Sequence, residues 1–407
     1  MEIYEQEKRC LTEIDAVLDF AKLTRDEIKP KTQSIYFSHQ LDSDGIKLLE
    51  LDKTVVQALE NGKKVVIRGD KEDSAVLCTD EHTYDIKEGE VSNAMLLLTD
   101  LTLGNDLEAA GDPQVEYREV NTVIHTFYEL RPCKPRLAKL RTMLQENQYS
   151  GQACEEDEDH QGKKYTFNEI LDLVQGSETE ILKALDKMQA LVIDGFWRVL
   201  DFDFLVQVMT HLLQLCDEND WTQSGIPIEE CVFVLQELFP RNVIGHVLKN
   251  FSKKISPKTD DDDDENRMQI DIDYYRLDED KVCRFFAEQI LKHARKFNLN
   301  QFLSTWEKSV PEGMKTNLFQ LEGMALIDRE STPEVISYLS VDNLPEDIAE
   351  RFDALFRTKD KWRLEEITPY IKDLETDKMN ITAMLTKFAR ASTTNGVKMY
   401  NSRKPLT

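Results

Sequence analysis

The sequence predicts an α+β chain, with a β-rich N-terminal domain over residues 1–125 followed by helical modules that each end in a two-stranded hairpin. Two observations carry this reading. Between Ser34 and about Val123, short β-type runs alternate with turn formers, whereas after Thr126 the apolar residues recur at helical spacing. Beyond that point one succession of signals, helix then helix then hairpin, returns three times.

Residues 1–30 carry Leu11, Ile14, Val17, Leu18 and Leu23 at roughly helical spacing and predict a lead-in helix. SIYFSH, IKLLEL, KKVVIRG, SAVLCT, TYDIKEG, NAMLLL and VEYREV predict strands, punctuated by Asn61-Gly62 and Gly69-Asp70. LDKTVVQALENG (51–62) predicts a short helix among them. Such a domain either closes on itself or leaves an edge strand for a partner chain to complete.

In the block 126–202, RLAKLRTMLQ (136–145) supplies a first helix. Thr166 with Glu169, and Ser177 with Glu180, form successive capping boxes. Ile181, Leu182, Leu185 and Met188 then share one face, and VIDGFWRV sets Asp-Gly between β-type residues, a hairpin signal. Gln152 to Lys164, with EEDEDH, reads as an acidic loop.

In the block 203–344, NLFQLEGMALIDRESTPEVISYLS (317–340) ends a helix at Gly323 and enters a hairpin. MQALVID (188–194) and EGMALID (322–328) echo one another at this junction. SPKTDDDDDENR (256–267) has no apolar anchor and reads as a disordered, solubilising linker with Ser and Thr that could accept phosphate.

In the block 345–407, PEDIAERFDALFRTKD predicts a helix with Ile348, Phe352, Leu355 and Phe356 inward. KWRLEEI reads as a short strand, and TPYIKDL as a helix with Thr368 as N-cap and Pro369 at its first position. NITAMLTKFAR sets Ile381, Met384, Leu385 and Phe388 on one face, and RASTTNGVKMYNSR reads as a hairpin turning at Asn395-Gly396. Helix, helix and hairpin is the winged-helix order, so the three blocks predict three winged helices in series.

Charge separates the last module from the rest. The chain holds 51 Lys/Arg against 77 Asp/Glu, a net charge of −26. Lys378 to Thr407 hold six Lys/Arg and no acid, which leaves 45 against 77 before them, a net −32. A chain this acidic repels nucleic acid and anionic membrane on average, so contact with DNA is expected only at a local patch of opposite sign. With the apolar face inward, Thr382, Thr386, Lys387 and Arg390 are expected exposed on the third helix. Lys398, Tyr400, Arg403 and Lys404 follow on the wing and tail, and Lys378 precedes them. These nine are the candidate DNA-binding residues. None obviously reads a base edge, so phosphate contacts with little sequence preference are expected. On the third helix of the first module, Glu178, Lys183, Asp186 and Lys187 mix charge and favour protein contact instead.

Catalysis is not expected. G-x-x-x-x-G-K-[ST], H-E-x-x-H and G-x-S-x-G are all missing, and LDSDGIKLLEL (41–51) fails as a calcium loop at both of its key ligand positions. Seven isolated cysteines without C-x-x-C point to reduced, mostly buried thiols and to no zinc site. MEIYEQEKRC lacks the apolar core of a signal peptide, and no window approaches twenty apolar residues. No cofactor, no metal and no membrane are expected, in a chain of cytosol or nucleus.

YFSHQLDSDGIKLLELD (36–52), VVIRGDKEDSAVLCT (65–79), RFFAEQILKHARKFNLNQFLSTWEKSVPEGM (284–314) and KWRLEEITPYIKDL (361–374) carry a resemblance that runs the length of the chain. It is to the "defective in sister chromatid cohesion" family, non-ATPase subunits of the alternative, cohesion-serving replication factor C clamp loader. The resemblance implies an adaptor in the nucleus whose N-terminal domain joins the large ATPase subunit and the small accessory subunit of the chromosome transmission fidelity loader in a partner-completed barrel. It implies association with the replication factor C small subunits and, indirectly, with the sliding clamp, proliferating cell nuclear antigen. The winged helices would contact the catalytic subunit of DNA polymerase epsilon and single- and double-stranded DNA. The rival readings are a sequence-reading transcription-type regulator and a scaffold that contacts proteins only.

Overall fold

The computed structural model describes residues 11–24, 31–39, 41, 45–103, 114–156, 162–221, 225–255, 273–294, 296–376, 379–394 and 396–403. Most of EEDEDH, the segment 256–267, Asn395, and the candidates Lys378 and Lys404 lie outside them. The chain divides into two units, one of residues 1–67, 74–79 and 84–133 and one of 68–73, 80–83 and 134–407.

The first unit opens with α1 (Leu11–Ala21), then β1 (Lys31–Phe37), β2 (Leu49–Glu50), α2 (Lys53–Glu60), β3 (Val66–Arg68), β4 (Val76–Cys78), β5 (Thr83–Leu98) and β6 (Gln114–Cys133). Asp52 starts α2 as the sequence implies, accepting the Val55 N–H at 2.8 Å. The sheet runs β1–β6–β5–β4–β3, with β2 also on β6, and both β1 and β2 lie parallel to β6. The expected barrel is therefore absent from the single chain; the sheet is open, with β1 and β3 at its edges. Edge strand β1 exposes Ile35, Tyr36 and Phe37 in succession. TYDIKEG and NAMLLL form one strand rather than two, and β6 continues past residue 125 to Cys133 because TVIHTFYEL is rich in β-branched and aromatic residues.

The second unit repeats one plan four times. Its first module holds α3 (Ala138–Glu146), a turn of helix α4 (Gln152–Glu155) where a loop was expected, α5 (Phe167–Leu173), α6 (Glu178–Lys187), and the hairpin β7 (Leu191–Ile193) and β8 (Phe196–Arg198). Both capping boxes form, Thr166 with Glu169 and Ser177 with Glu180. The block read as one module over 203–344 holds two. The second module is α7 (Phe202–Glu218), β9 (Ile226–Pro227), α8 (Ile228–Leu235), α9 (Arg241–Phe251), β10 (Ser252–Ile255) and β11 (Tyr274–Leu277). The third is α10 (Glu279–His293), β12 (Phe297–Asn298), α11 (Leu299–Ser309), a 3-10 turn at Leu318–Leu321, β13 (Ala325–Asp328) and β14 (Val335–Tyr338). The fourth is α12 (Ile348–Thr358), β15 (Trp362–Arg363), α13 (Leu364–Ile371), α14 (Ile381–Phe388), β16 (Ala389–Thr394) and β17 (Val397–Ser402).

In the last three modules the strand before the second helix pairs with the second strand of the hairpin, giving the orders β10–β11–β9, β12–β14–β13 and β15–β17–β16. In the first module a single bridge, Tyr165 to Trp197, stands in that place. The second module escapes notice in the sequence because its hairpin strands are separated by the long acidic segment that starts after Ile255.

The echo between MQALVID and EGMALID has a backbone cause. Gln189 and Gly323, its second residues, both end a helical turn in the left-handed region, at φ 53° and 71°. At the turn between β7 and β8, Asp194 and Gly195 both take positive φ, 51° and 86°, as a tight hairpin of this hand requires. A Cβ at Gly195 would meet no atom within 4 Å. Gly195→Ala is therefore expected to cost about 1–2 kcal/mol from backbone conformation alone, read as a small fall in the denaturant midpoint.

Each module encloses its own apolar cluster. Leu140, Ile170, Ile181 and Leu185 fill the first, and Val208, Leu212, Val243 and Leu248 the second. Phe302, Trp306 and Ile336 fill the third, and Phe352, Phe356, Trp362 and Tyr370 the fourth. Cys216, Cys231 and Cys283 are buried among these residues, and burial pushes their thiols up to about 12, about 11 and about 11. Neighbouring modules share contacts: Leu191 and Ile193 join the second core, and Leu326 joins the fourth. The fourth module returns to the first. Glu346 Oε2 accepts the N–H groups of Leu137 (2.9 Å) and Ala138 (3.2 Å), and Lys134 Nζ donates to the carbonyls of Asp373 (2.6 Å) and Glu375 (3.0 Å). Among the described residues no helix is long and apolar enough to cross a membrane.

Candidate nucleic-acid interface

The fourth module is held in register by its buried side chains. Trp362 is fully buried and sits opposite Tyr400 across the β15–β17 pair. The helix that follows begins earlier than expected. Arg363 N–H donates to Glu366 Oε2 at 3.0 Å, so α13 starts at Leu364. Thr368 is thus not its N-cap, and Pro369 lies inside it; the Thr368 hydroxyl donates to the Leu364 carbonyl at 2.6 Å. Asn380 then caps α14, accepting from Ala383 N–H at 2.9 Å. Met384 and Leu385 turn inward, which leaves Thr382, Thr386 and Lys387 exposed.

Arg390 is not on that helix. The backbone becomes extended at Ala389, and Arg390 lies on β16 opposite Asn401, exposed. Tyr400 is not exposed on the wing either. Only 8% of it is accessible, because its strand position opposite Trp362 turns the ring into the core. Lys398, exposed on β17, holds its ammonium 5.4 Å from the Tyr400 ring centroid.

Thr382, Thr386, Arg390, Lys398, Tyr400 and Arg403 nevertheless line one cleft of about 270 Å³, together with Leu385, Ala389 and Ala391. Lys387 stands beside it on α14 without lining it. Arg403 Nη1 donates to the Lys387 carbonyl at 2.9 Å, which fastens the end of the hairpin to the C-terminus of α14, where a cation complements the helix dipole. The Thr386 hydroxyl donates to the Thr382 carbonyl at 2.8 Å, so it has no proton left for a phosphate and can only accept. Among the described residues no carboxylate pairs with Lys387, Arg390, Lys398 or Arg403. The cleft thus gathers three cations from two strands and the tail around apolar ground, with a fourth on the adjoining helix. It can take an anion.

Helical periodicity had only the chain to place Arg390 with, and the exact end of α14 decides it. The signal that could have placed Tyr400 was its alternation partner Trp362, which needs the β15–β17 pairing to be known.

A family profile described as "Sister chromatid cohesion protein Dcc1" matches residues 46–371. The sister chromatid cohesion protein DCC1 of Danio rerio is 40% identical over 399 residues, covering 98% of this chain and 99% of that protein. That of Homo sapiens is 40% identical over 404 residues, covering 98% of this chain and 100% of that protein. That of Saccharomyces cerevisiae is 23% identical over 235 residues, covering 55% of this chain and 58% of that protein. With near-complete coverage at this identity, the chain belongs to the Dcc1 family of sister chromatid cohesion proteins.

Proposed function

We propose that the chain is a non-catalytic adaptor of an alternative clamp loader that serves sister chromatid cohesion in the nucleus. In this reading its repeated modules are winged helices, and the last of them touches DNA through phosphates. The relatives are named for sister chromatid cohesion, which supports the process. The observation that carries the DNA contact is the cleft of the fourth module. Six of the candidate residues converge on it, and among the described residues its cations pair with no carboxylate in a chain of net charge −26. An acidic body with one cationic end orients itself on a polyanion, because the rest of its surface is repelled.

The open edge of the first unit supports the partner side of the reading. Strand β1 carries exposed Ile35, Tyr36 and Phe37 along a hydrogen-bonding edge, the arrangement that strand addition by another chain completes. The large ATPase subunit and the small accessory subunit are the proposed partners there. The replication factor C small subunits and the polymerase epsilon catalytic subunit are reached through the assembled complex, and the sliding clamp is acted on indirectly.

The test is duplex binding by the full chain, followed by fluorescence anisotropy at several salt concentrations. Two duplexes of unrelated sequence are expected to bind equally, with a log–log salt slope of about −4 to −5 for four to six phosphate contacts. Replacing Lys387, Arg390, Lys398 and Arg403 with alanine is expected to flatten that slope by about 3 to 4. A strong preference for one duplex would favour a sequence-reading regulator. Absence of binding at low salt, or an unchanged slope in the variant, would remove the cleft from DNA recognition.

A further inference from the structure

A cavity of about 460 Å³ lies where the first, second and third modules meet, with the segment leading to the fourth at its margin. Its floor is apolar. Met188, Val199, Leu200, Phe202 and Leu205 are each half-buried there, so part of every side chain remains open to the groove. Its rim is cationic, with Arg141 from α3, Lys187 from α6, and Lys281 and Arg284 from α10. Two acids also line it, and both are engaged. Glu288 pairs with Lys292 at 3.0 Å and accepts the Tyr338 hydroxyl at 3.0 Å, while Asp342 lies 3.9 Å from Arg141.

The remaining cations are held but not neutralised. Arg284 Nη1 donates to the carbonyls of Gln320 (2.8 Å) and Glu322 (3.0 Å), and Lys281 Nζ donates to the Asn250 carbonyl at 2.7 Å. Backbone carbonyls orient these groups without cancelling their charge. Among the described residues no carboxylate pairs with Lys187, Lys281 or Arg284. Lys187 from the first module and Lys281 and Arg284 from the third therefore present positive charge without an ion pair around one greasy trough, in a protein whose net charge is strongly negative.

We propose that this groove docks a partner protein's short acidic segment carrying one or two large apolar side chains. The two halves of the site each select for one half of that chemistry. Apolar anchors bury against Leu200, Phe202 and Leu205, and flanking Asp or Glu meet the rim. A nucleic-acid strand would satisfy the rim but leave the apolar floor without a match, and an uncharged helix would do the reverse. The volume suits one or two anchor side chains rather than a folded surface. This surface is separate from the cleft of the fourth module, so the inference does not depend on DNA binding there.

The probe is a fluorescein-labelled peptide in which glutamates flank a Phe-x-x-Leu pair, titrated into the full chain and read by anisotropy. Lys187→Glu/Lys281→Glu is expected to weaken binding by about tenfold or more, since both side chains are exposed and their reversal repels the acids directly. A peptide with alanine for Phe and Leu is expected to lose binding to a similar degree. An unchanged melting curve for the double variant ties the loss to the groove; should it melt early, Lys187→Gln/Lys281→Gln replaces it with the same expected direction. The idea is overturned if the wild-type chain does not bind the peptide at low salt, if the charge-reversed chain binds it equally, or if the alanine peptide binds as well as the original. Competition by a single-stranded oligonucleotide, but not by unlabelled peptide, would likewise overturn it in favour of a nucleic-acid groove.

Discussion

Arg198→Met is expected to destabilise the first module by about 3–5 kcal/mol. Arg198 is 2% accessible, and its guanidinium joins the hairpin to the loop after α3. Nε donates to the Asn147 carbonyl at 2.7 Å, and Nη2 to Asn147 Oδ1 (2.6 Å), to the Gln148 carbonyl (3.1 Å) and to Glu155 Oε1 (2.9 Å). Methionine fills much of the volume but donates nothing, so the carbonyls of Asn147 and Gln148 lose a buried donor and Glu155 keeps only Lys164. The effect carries a pH signature. Burial pushes the Glu155 carboxyl up, yet hydrogen bonds from Arg198 and Lys164 more than offset it and hold the group below its ordinary value of 4.5. A depressed carboxylate stabilises the fold above its unfolded value and loses that contribution as pH falls through the folded one. The gap between wild type and variant should therefore be full at neutral pH and narrow from about pH 4.5 downward. The chain carries four tryptophans, one per module, Trp197, Trp221, Trp306 and Trp362. Amide hydrogen exchange over residues 138–198, followed at increasing urea in the full chain, reads the first module alone. An unchanged midpoint, or a gap that persists undiminished at pH 3, would contradict the assignment.

Much of the helical half was legible because its punctuation is local. Capping boxes and Asp-Gly at a hairpin act within four residues, and Thr166, Ser177 and Asp194-Gly195 all appear where the chain places them. What failed depends on partners far away in sequence. Pro369 looked like a first-turn proline, yet Trp362 and Glu366 start the helix upstream of it, and only the buried indole fixes that. The second module was missed for the same reason: β11 returns to β10 and β9 from beyond the acidic segment, and Tyr274 and Tyr275 carry no local mark of that pairing. In the N-terminal half, strands were visible as β-type runs, but order was not, since β1 pairs in parallel with β6 some eighty residues on.

The candidate site divides in a similar way. Charge sign and helical face were enough to gather Thr382, Thr386, Lys398 and Arg403 around one cleft. They were not enough to tell a floor from a rim, so Tyr400, expected exposed on the wing, is buried instead. The groove at the meeting of three modules left no trace in any one stretch of sequence. Arg141, Lys187 and Arg284 become neighbours only because the modules pack back on one another.

That packing makes the fourth module sensitive to a residue that never reaches its surface. Arg351 is 1% accessible and ties α12 to the end of α13. Its Nε donates to the Pro345 carbonyl at 2.6 Å, and Nη1 to the Tyr370 carbonyl (3.1 Å) and to both oxygens of Asp373 (2.6 and 2.8 Å). The two ends of the ion pair differ in what their loss exposes. Asp373 is 37% accessible, so without Arg351 it can rehydrate, and Asp373→Asn leaves the guanidinium its two carbonyls. Arg351→Met strands the carbonyls of Pro345 and Tyr370 in the core as well. The arginine variant is therefore expected to lose about 3–5 kcal/mol from the fourth module, and the aspartate variant about 1–2 kcal/mol, with Trp362 as the reporter. Duplex binding should follow the same order, because the cleft exists only while α14 and its hairpin sit on this core, and the first module, which meets the fourth through Glu346 and Lys134, should lose less than the fourth. Equal losses for the two variants would mean that the ion pair itself, and not the buried carbonyls, holds the module together. Full duplex affinity in an Arg351→Met chain whose fourth module has melted would mean that DNA is bound elsewhere.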